Sequence, residues 1–118
     1  MKAIFWALAI VTAALTAIPA AASDHSANYY LPSCKDFINE RFAREPFRQG
    51  ECVGLIEGLV INASDLPFAG SRSCAPENVS VAQLTAVVVR WLDQHPQRWH
   101  EDFRALALFA LHDAWPCE

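Results

Sequence analysis

From Val81 onward the apolar residues recur three and four places apart: Val81, Leu84, Val87, Val88, Trp91 and Leu92. That spacing puts them on one face of a helix. Ser80 stands just before the run and Gln83 three places on, so the Ser80 hydroxyl can accept from the Gln83 amide and the Gln83 side chain can reach back. Pro96 predicts a stop near Asp93 or Gln94. The consecutive valines also suit a strand, but the cap, the spacing and the length favour a helix. A second stripe follows in Phe103, Leu106, Ala107, Ala110, Leu111 and Ala114. Leu108 and Phe109 widen it, so this helix has room for two neighbours. Glu101 and Asp102 suit its N-terminus, and Pro116 ends it. A short turn around Pro96 joins the two helices, which predicts an antiparallel hairpin.

Upstream, Val53, Leu55, Ile56, Leu59 and Val60 predict a helix over Cys52 to Ile61. Gly54 and Gly58 share one of its faces. They suit close contact with another helix, or they are two weakening glycines with no role. A first helix is expected within Ala27 to Arg44, with Tyr29, Tyr30, Phe37, Ile38 and Phe42 as core candidates. Pro32 is expected to kink or divide it, and Gln49-Gly50 to turn the chain into Cys52. Asn62 to Val79 is a long connection holding Pro67, Gly70 and Pro76. Long loops in small domains often carry function.

The amino-terminal pattern is different in kind. Lys2 is followed by an apolar run from Ala3 to Ile18, then Pro19 and Ala20-Ala21-Ala22. This reads as residues 1–22 of a secretory signal peptide, cut after Ala22. A retained anchor is the rival, but the run is short for a membrane span. Residues 23–118 then form one helical domain, outside the membrane once the signal is removed.

The 118 residues carry a net charge of −4 and are 53% hydrophobic. Loss of Lys2 leaves the remainder one charge more acidic. An acidic chain of this kind lacks the basic face of a nucleic-acid binder, and it is too apolar to be disordered. Its four cysteines, Cys34, Cys52, Cys74 and Cys117, contain no C-x-x-C pair, which argues against a zinc site. An even count in a small exported domain predicts two disulfides. Cys74 precedes the helical hairpin and Cys117 follows it, so they are natural partners. Cys34 and Cys52 would then clamp the upstream junction. The expected fold is all-α: a small bundle of about four helices with a C-terminal antiparallel hairpin, stapled by two disulfides.

Chemistry is sparse. His95, His100 and His112 lie near Asp93, Glu101, Asp102 and Asp113. A catalytic His–acid pair is one reading. A helix-terminal His95 with the others facing solvent is the plainer one. No G-x-S-x-G or H-E-x-x-H motif occurs. No catalytic residue, metal ligand or cofactor is therefore assigned, and no enzyme activity is expected. Asn62-Ala63-Ser64 and Asn78-Val79-Ser80 match the glycosylation sequon, a short motif that recurs by chance. Trp91, Trp99 and Trp115 suit an aromatic ligand platform or, more readily, core and hairpin packing, since Trp91 sits on the helical stripe; Trp99 is expected to be the most exposed of them. Asp65, Phe68 and Arg72, in the long loop, are the candidate partner-contact residues.

Cys74-Ala75-Pro76-Glu77-Asn78-Val79-Ser80, the valine-rich helix, His95-Pro96 and Ala114-Trp115-Pro116-Cys117 together resemble the Rap/Tai family, immunity proteins of type VI secretion systems. The family pattern is a C-x-P-x-x-V-S/T cap, a valine-rich helix, an H-P turn and an A-F/W-P-C end. Cys52-Val53-Gly54 with Gly58 is similar to the family's C-x-G helix. The resemblance spans about Asn28 to Cys117. It implies a periplasmic, all-α, disulfide-bonded protein without enzyme activity. It further implies that the chain binds a secreted effector, often a peptidoglycan amidase, and occludes its active site, and that it can form a homodimer. An exported envelope protein of the same fold, serving another partner or a stress-related role, is the alternative.

Overall fold

The computed structural model describes residues 24–65 and 72–118. The expected signal peptide and Phe68 lie outside the described residues. Four helices follow in order: α1, Ala27–Ile38; α2, Pro46–Asn62; α3, Val81–Asp93; and α4, Phe103–Ala114. Short 3-10 turns, Ala63–Asp65 and Pro96–Arg98, extend α2 and link α3 to α4. No strand occurs among the described residues, and both disulfides pair as the spacing suggested, Cys34 with Cys52 and Cys74 with Cys117. Their separations of 18 and 43 residues correspond to about 3 and 4 kcal/mol of lost unfolded-chain entropy.

One core draws on every helix. Tyr30, Leu31 and Cys34 of α1 meet Cys52 and Ile56 of α2, Leu84, Val88 and Leu92 of α3, and Phe103, Leu106 and Leu111 of α4. The rings of Tyr30 and Phe103 pack at 4.8 Å. Both expected carboxyl-side stripes are buried except for Ala114, at the exposed end of α4, and Val81 and Val87, which are half-buried. Phe109 is 41% exposed, at the edge of the stripe, while Leu108 is half-buried and α4 packs against α1, α2 and α3.

Helix ends show how backbone groups are satisfied. Ser80 Oγ accepts from Gln83 N at 3.1 Å, and Asp102 Oδ1 accepts from Arg104 N at 2.9 Å. At α1 the first amides instead reach across the molecule. Ala27 N donates to Glu101 O at 3.0 Å and Asn28 N to Trp99 O at 2.9 Å. The α3–α4 connection thus caps α1, covering donors that a helix start otherwise leaves orphaned.

Four expectations change here. α1 ends at Ile38, and it continues through Pro32 undivided. Pro32 and Asn28 are both exposed, so the carbonyl that loses its donor is on the solvent side. α2 begins at Pro46, not Cys52. Proline suits the first helical position, so Gln49-Gly50 lies inside the helix rather than in a turn. The reversal comes earlier, at Glu40 and Glu45, whose φ values are 58° and 42°. Such a backbone costs a non-glycine residue roughly 1–2 kcal/mol, and the Gln49 amide offsets it. That side chain is buried, donating to Arg41 O at 2.9 Å and also to Arg44 O.

Phe42 is the third correction: it is 55% exposed, at the tip of this turn. Trp99 is the fourth, being half-buried with its indole Nε1 donating to Leu92 O at 2.7 Å. The open question at Gly54 and Gly58 is settled too. Both are exposed, and a Cβ at either would meet nothing within 4 Å. Among the described residues they make no close helix contact.

Candidate partner-binding surface

The loop after α2 leaves and re-enters the fold at fixed points. Asn62 Nδ2 donates back to Gly58 O at 2.9 Å, and Ala63 is buried. Across the loop mouth, Ser73 N donates to Ala63 O at 3.3 Å. Ser73 is buried, and its hydroxyl donates to Leu111 O at 3.1 Å. Its backbone bridges to Pro116. Cys74 N donates to Trp115 O at 2.8 Å, and the Cys74 side chain is bonded to Cys117, two residues on from Trp115. The loop is therefore gripped at its base by the end of α4, and sequence distance, not proximity, separates the parts that hold it.

Asp65 lies on the departing side of the loop and is exposed. Arg72 lies on the returning side and is half-buried. The Arg72 carbonyl lies 2.7 Å from His112 Nδ1. A carbonyl only accepts, so Nδ1 carries the proton there. His112, read as solvent-facing, instead helps to hold the loop. His95 Nδ1 similarly lies 2.7 Å from Trp91 O, with its ring stacked on Trp91 at 3.9 Å. That agrees with its helix-terminal reading. Among the described residues no histidine forms an ion pair with a carboxylate, and no group of three or more His, Cys, Asp or Glu is placed to hold a metal.

Two further surface features were not read as sites. On the α3–α4 side, Arg98 lies over Trp91 and Phe109, at 5.5 and 5.1 Å from the ring centroids. Glu101 closes that guanidinium with bonds of 2.7 and 2.9 Å, which holds the Glu101 carboxyl below its ordinary pKa. Beside it a groove of about 300 Å³ runs between Val87, Arg90, Trp91, Asp113 and Ala114. On the opposite side of the sequence, the turn between α1 and α2 exposes Phe42 and Phe47 together. The Glu45-Pro46 pair marks that helix start in the sequence, but Phe42 reads there as an ordinary core residue, and no periodicity singles out Phe47.

The family profile of Rap1a immunity proteins matches residues 26–117. The chain belongs to this family. The matched stretch opens at Ser26, the cap of α1, and closes at Cys117. It therefore takes in all four helices and both disulfides of the Rap1a domain. Comparison with curated proteins and with solved structures gave no match.

Proposed function

We propose that this Rap1a family protein is a periplasmic immunity protein, exported by residues 1–22, that binds a secreted effector and blocks its active site. A peptidoglycan amidase is the effector class we favour. The observation that carries this is the immunity-family match over the whole helical domain, residues 26–117.

The physical features agree with such a role. A bundle cross-linked at two places loses little conformational freedom on binding, so more of its contact energy appears as affinity. The loop holding Asp65, Phe68 and Arg72 springs from a base tied by Ser73 and His112. A plug for a catalytic cleft needs such a base. The acidic net charge of the chain would speed encounter with a basic, wall-binding effector. His95 and His112 each spend a ring nitrogen on a backbone carbonyl, which suits structural roles and a protein that inhibits without catalysis. A homodimer would double the surface offered to the effector.

The test is a pull-down with the oxidised mature protein from the envelope fraction of its own host, read by mass spectrometry. Co-purification of one peptidoglycan hydrolase in stoichiometric amount is the expected result. Phe68→Ser with Arg72→Glu should then weaken binding at least about tenfold while the fold stays intact. Recovery of an unrelated envelope partner would overturn the immunity reading. Intact binding by the double variant would overturn the loop as contact surface.

A further inference from the structure

The turn between α1 and α2 is the most exposed continuous stretch among the described residues: Arg41 to Arg48 are all open to solvent. It carries Phe42 at 55% and Phe47 at 78% exposure, and with the adjoining exposed Glu40 it holds three arginines against two glutamates, on a chain whose net charge is −4. Exposed aromatic residues on a mobile tail would mean little. These are on a turn whose shape is imposed. Gln49 is buried and grips the carbonyls of Arg41 and Arg44. Glu40 and Glu45 are held at positive φ. Arg48 lies on the Tyr29 ring at 4.6 Å, and Cys34–Cys52 bonds α1 to α2 beneath. A backbone held against its preference by its surroundings points to a use for the shape.

Two of the three arginines are only loosely paired, while Arg48 lies 3.4 Å from Glu45. Arg41 and Arg44 share one carboxylate oxygen of Asp36, at 3.6 and 3.9 Å. Those separations exceed the roughly 2.7–2.9 Å of a charge-assisted hydrogen bond. By contrast Arg98 and Arg104 close on Glu101 and Asp102 at 2.7 and 2.6 Å. Arg41 and Arg44 side chains stay 57% and 67% exposed and keep N–H donors for an outside acceptor.

We propose that this turn is a second docking element of the immunity protein, which places Phe47 in an apolar pocket of the effector rimmed by carboxylates that pair with Arg41 and Arg44. Aromatic and arginine side chains of this kind dominate protein interfaces when buried there. Glu40 and Glu45 sit among the arginines. They would oppose a uniformly anionic lipid surface, whereas discrete carboxylates on a protein can be placed between them. The inference rests on the immunity reading, but it uses a surface on the Cys34–Cys52 side rather than the 62–72 loop. Each disulfide then lies beneath one contact element.

The experiment is a competition assay. A recipient deleted for this gene is challenged by its parent strain and complemented with the full-length gene, wild type or variant. Phe47→Ser and Arg44→Glu should each lower recipient survival at least about tenfold against the wild-type complement. Arg44→Lys, which keeps the charge, should restore most of it. Because Phe47 and Arg44 are exposed, the purified variants should melt with the wild type and accumulate equally in the periplasm. Full protection by Phe47→Ser and Arg44→Glu would overturn this proposal and leave the immunity reading standing. Survival of the uncomplemented deletion strain would overturn the immunity reading and this proposal with it. Sedimentation of the wild-type protein, but not Phe47→Ser, with phosphatidylglycerol vesicles would overturn the protein partner in favour of a lipid surface.

Discussion

Trp91 Nε1 donates to Asp113 Oδ2 at 2.8 Å, joining the last turn of α3 to the last turn of α4. Trp91 is buried and Asp113 exposed. The indole N–H is thus a partly buried donor at the edge of the groove, answered by one side chain. Asp113→Ala should destabilise the protein by about 0.5–1.5 kcal/mol, the net worth of such a hydrogen bond. Asp113→Asn keeps a carbonyl oxygen in place and should lose less than half as much. Urea unfolding followed by tryptophan emission checks both, and equal losses would show that charge, not the hydrogen bond, is what Asp113 contributes.

The Gln49 amide holds a turn that two left-handed glutamates would otherwise relax. Gln49→Leu keeps the volume but removes the donor from both carbonyls. It should cost about 2–3 kcal/mol, two hydrogen bonds at a buried site. The loss should be visible locally first. In hydrogen exchange, amides from Arg41 to Arg48 should lose protection before those of α3 and α4. Uniform loss across the chain would mean that the turn and the core unfold as one unit.

Asp102 ties stability to acid pH. Its bonds to the Arg104 guanidinium, above all, hold the carboxyl at about 2, from an ordinary 3.8. A carboxyl depressed on folding stabilises the native state above its unfolded pKa, and loses that contribution as pH falls through the folded value. Stability should therefore decline between about pH 4 and pH 2. Part of that decline should vanish in Asp102→Asn and in Arg104→Gln. The pair is substantially exposed, so salt should shrink the effect. Urea midpoints at pH 5 and pH 2.5, at low and high salt, give the comparison.

The helical part of this fold was legible because its signals are local. Ser80 and Gln83, the stripe from Leu84 to Leu92, and Asp102 before Phe103 each act within one or two turns of chain. The Cys74–Cys117 disulfide followed from where those cysteines flank the last two helices, whereas Cys34–Cys52 was reached through a turn at Gln49-Gly50 that is helix in the structure. Phe42 and Trp99 were misread for the opposite reason. Phe42 is put outside by a backbone reversal at Glu40 and Glu45, and neither residue advertises a left-handed conformation. Trp99 is turned inward by Leu92 O and by the α1 amide that its own carbonyl accepts, and no periodicity encodes that. The loop anchors Ser73 and His112 were missed because each is defined by a partner about forty residues away.

Gly54 and Gly58 allow a test in the stabilising direction. They lie in the interior of α2, exposed, on a face where an added methyl group would touch nothing within 4 Å. Alanine restricts the unfolded chain and suits a helix, so Gly→Ala at such a position gains about 0.5–1 kcal/mol. The two sites share no side-chain partner, so Gly54→Ala with Gly58→Ala should gain about 1–2 kcal/mol. For a domain of this size that raises Tm by about 5–10 °C. Calorimetry of the single and double variants, at several protein concentrations, reads the result. If the double variant instead melts lower, and does so more at high concentration, then the bare face belongs to an intermolecular contact. The glycines would then be kept for close approach between two chains. A concentration-independent gain would leave α2's weakness unexplained by packing and would place both glycines among substitutions open to stabilisation.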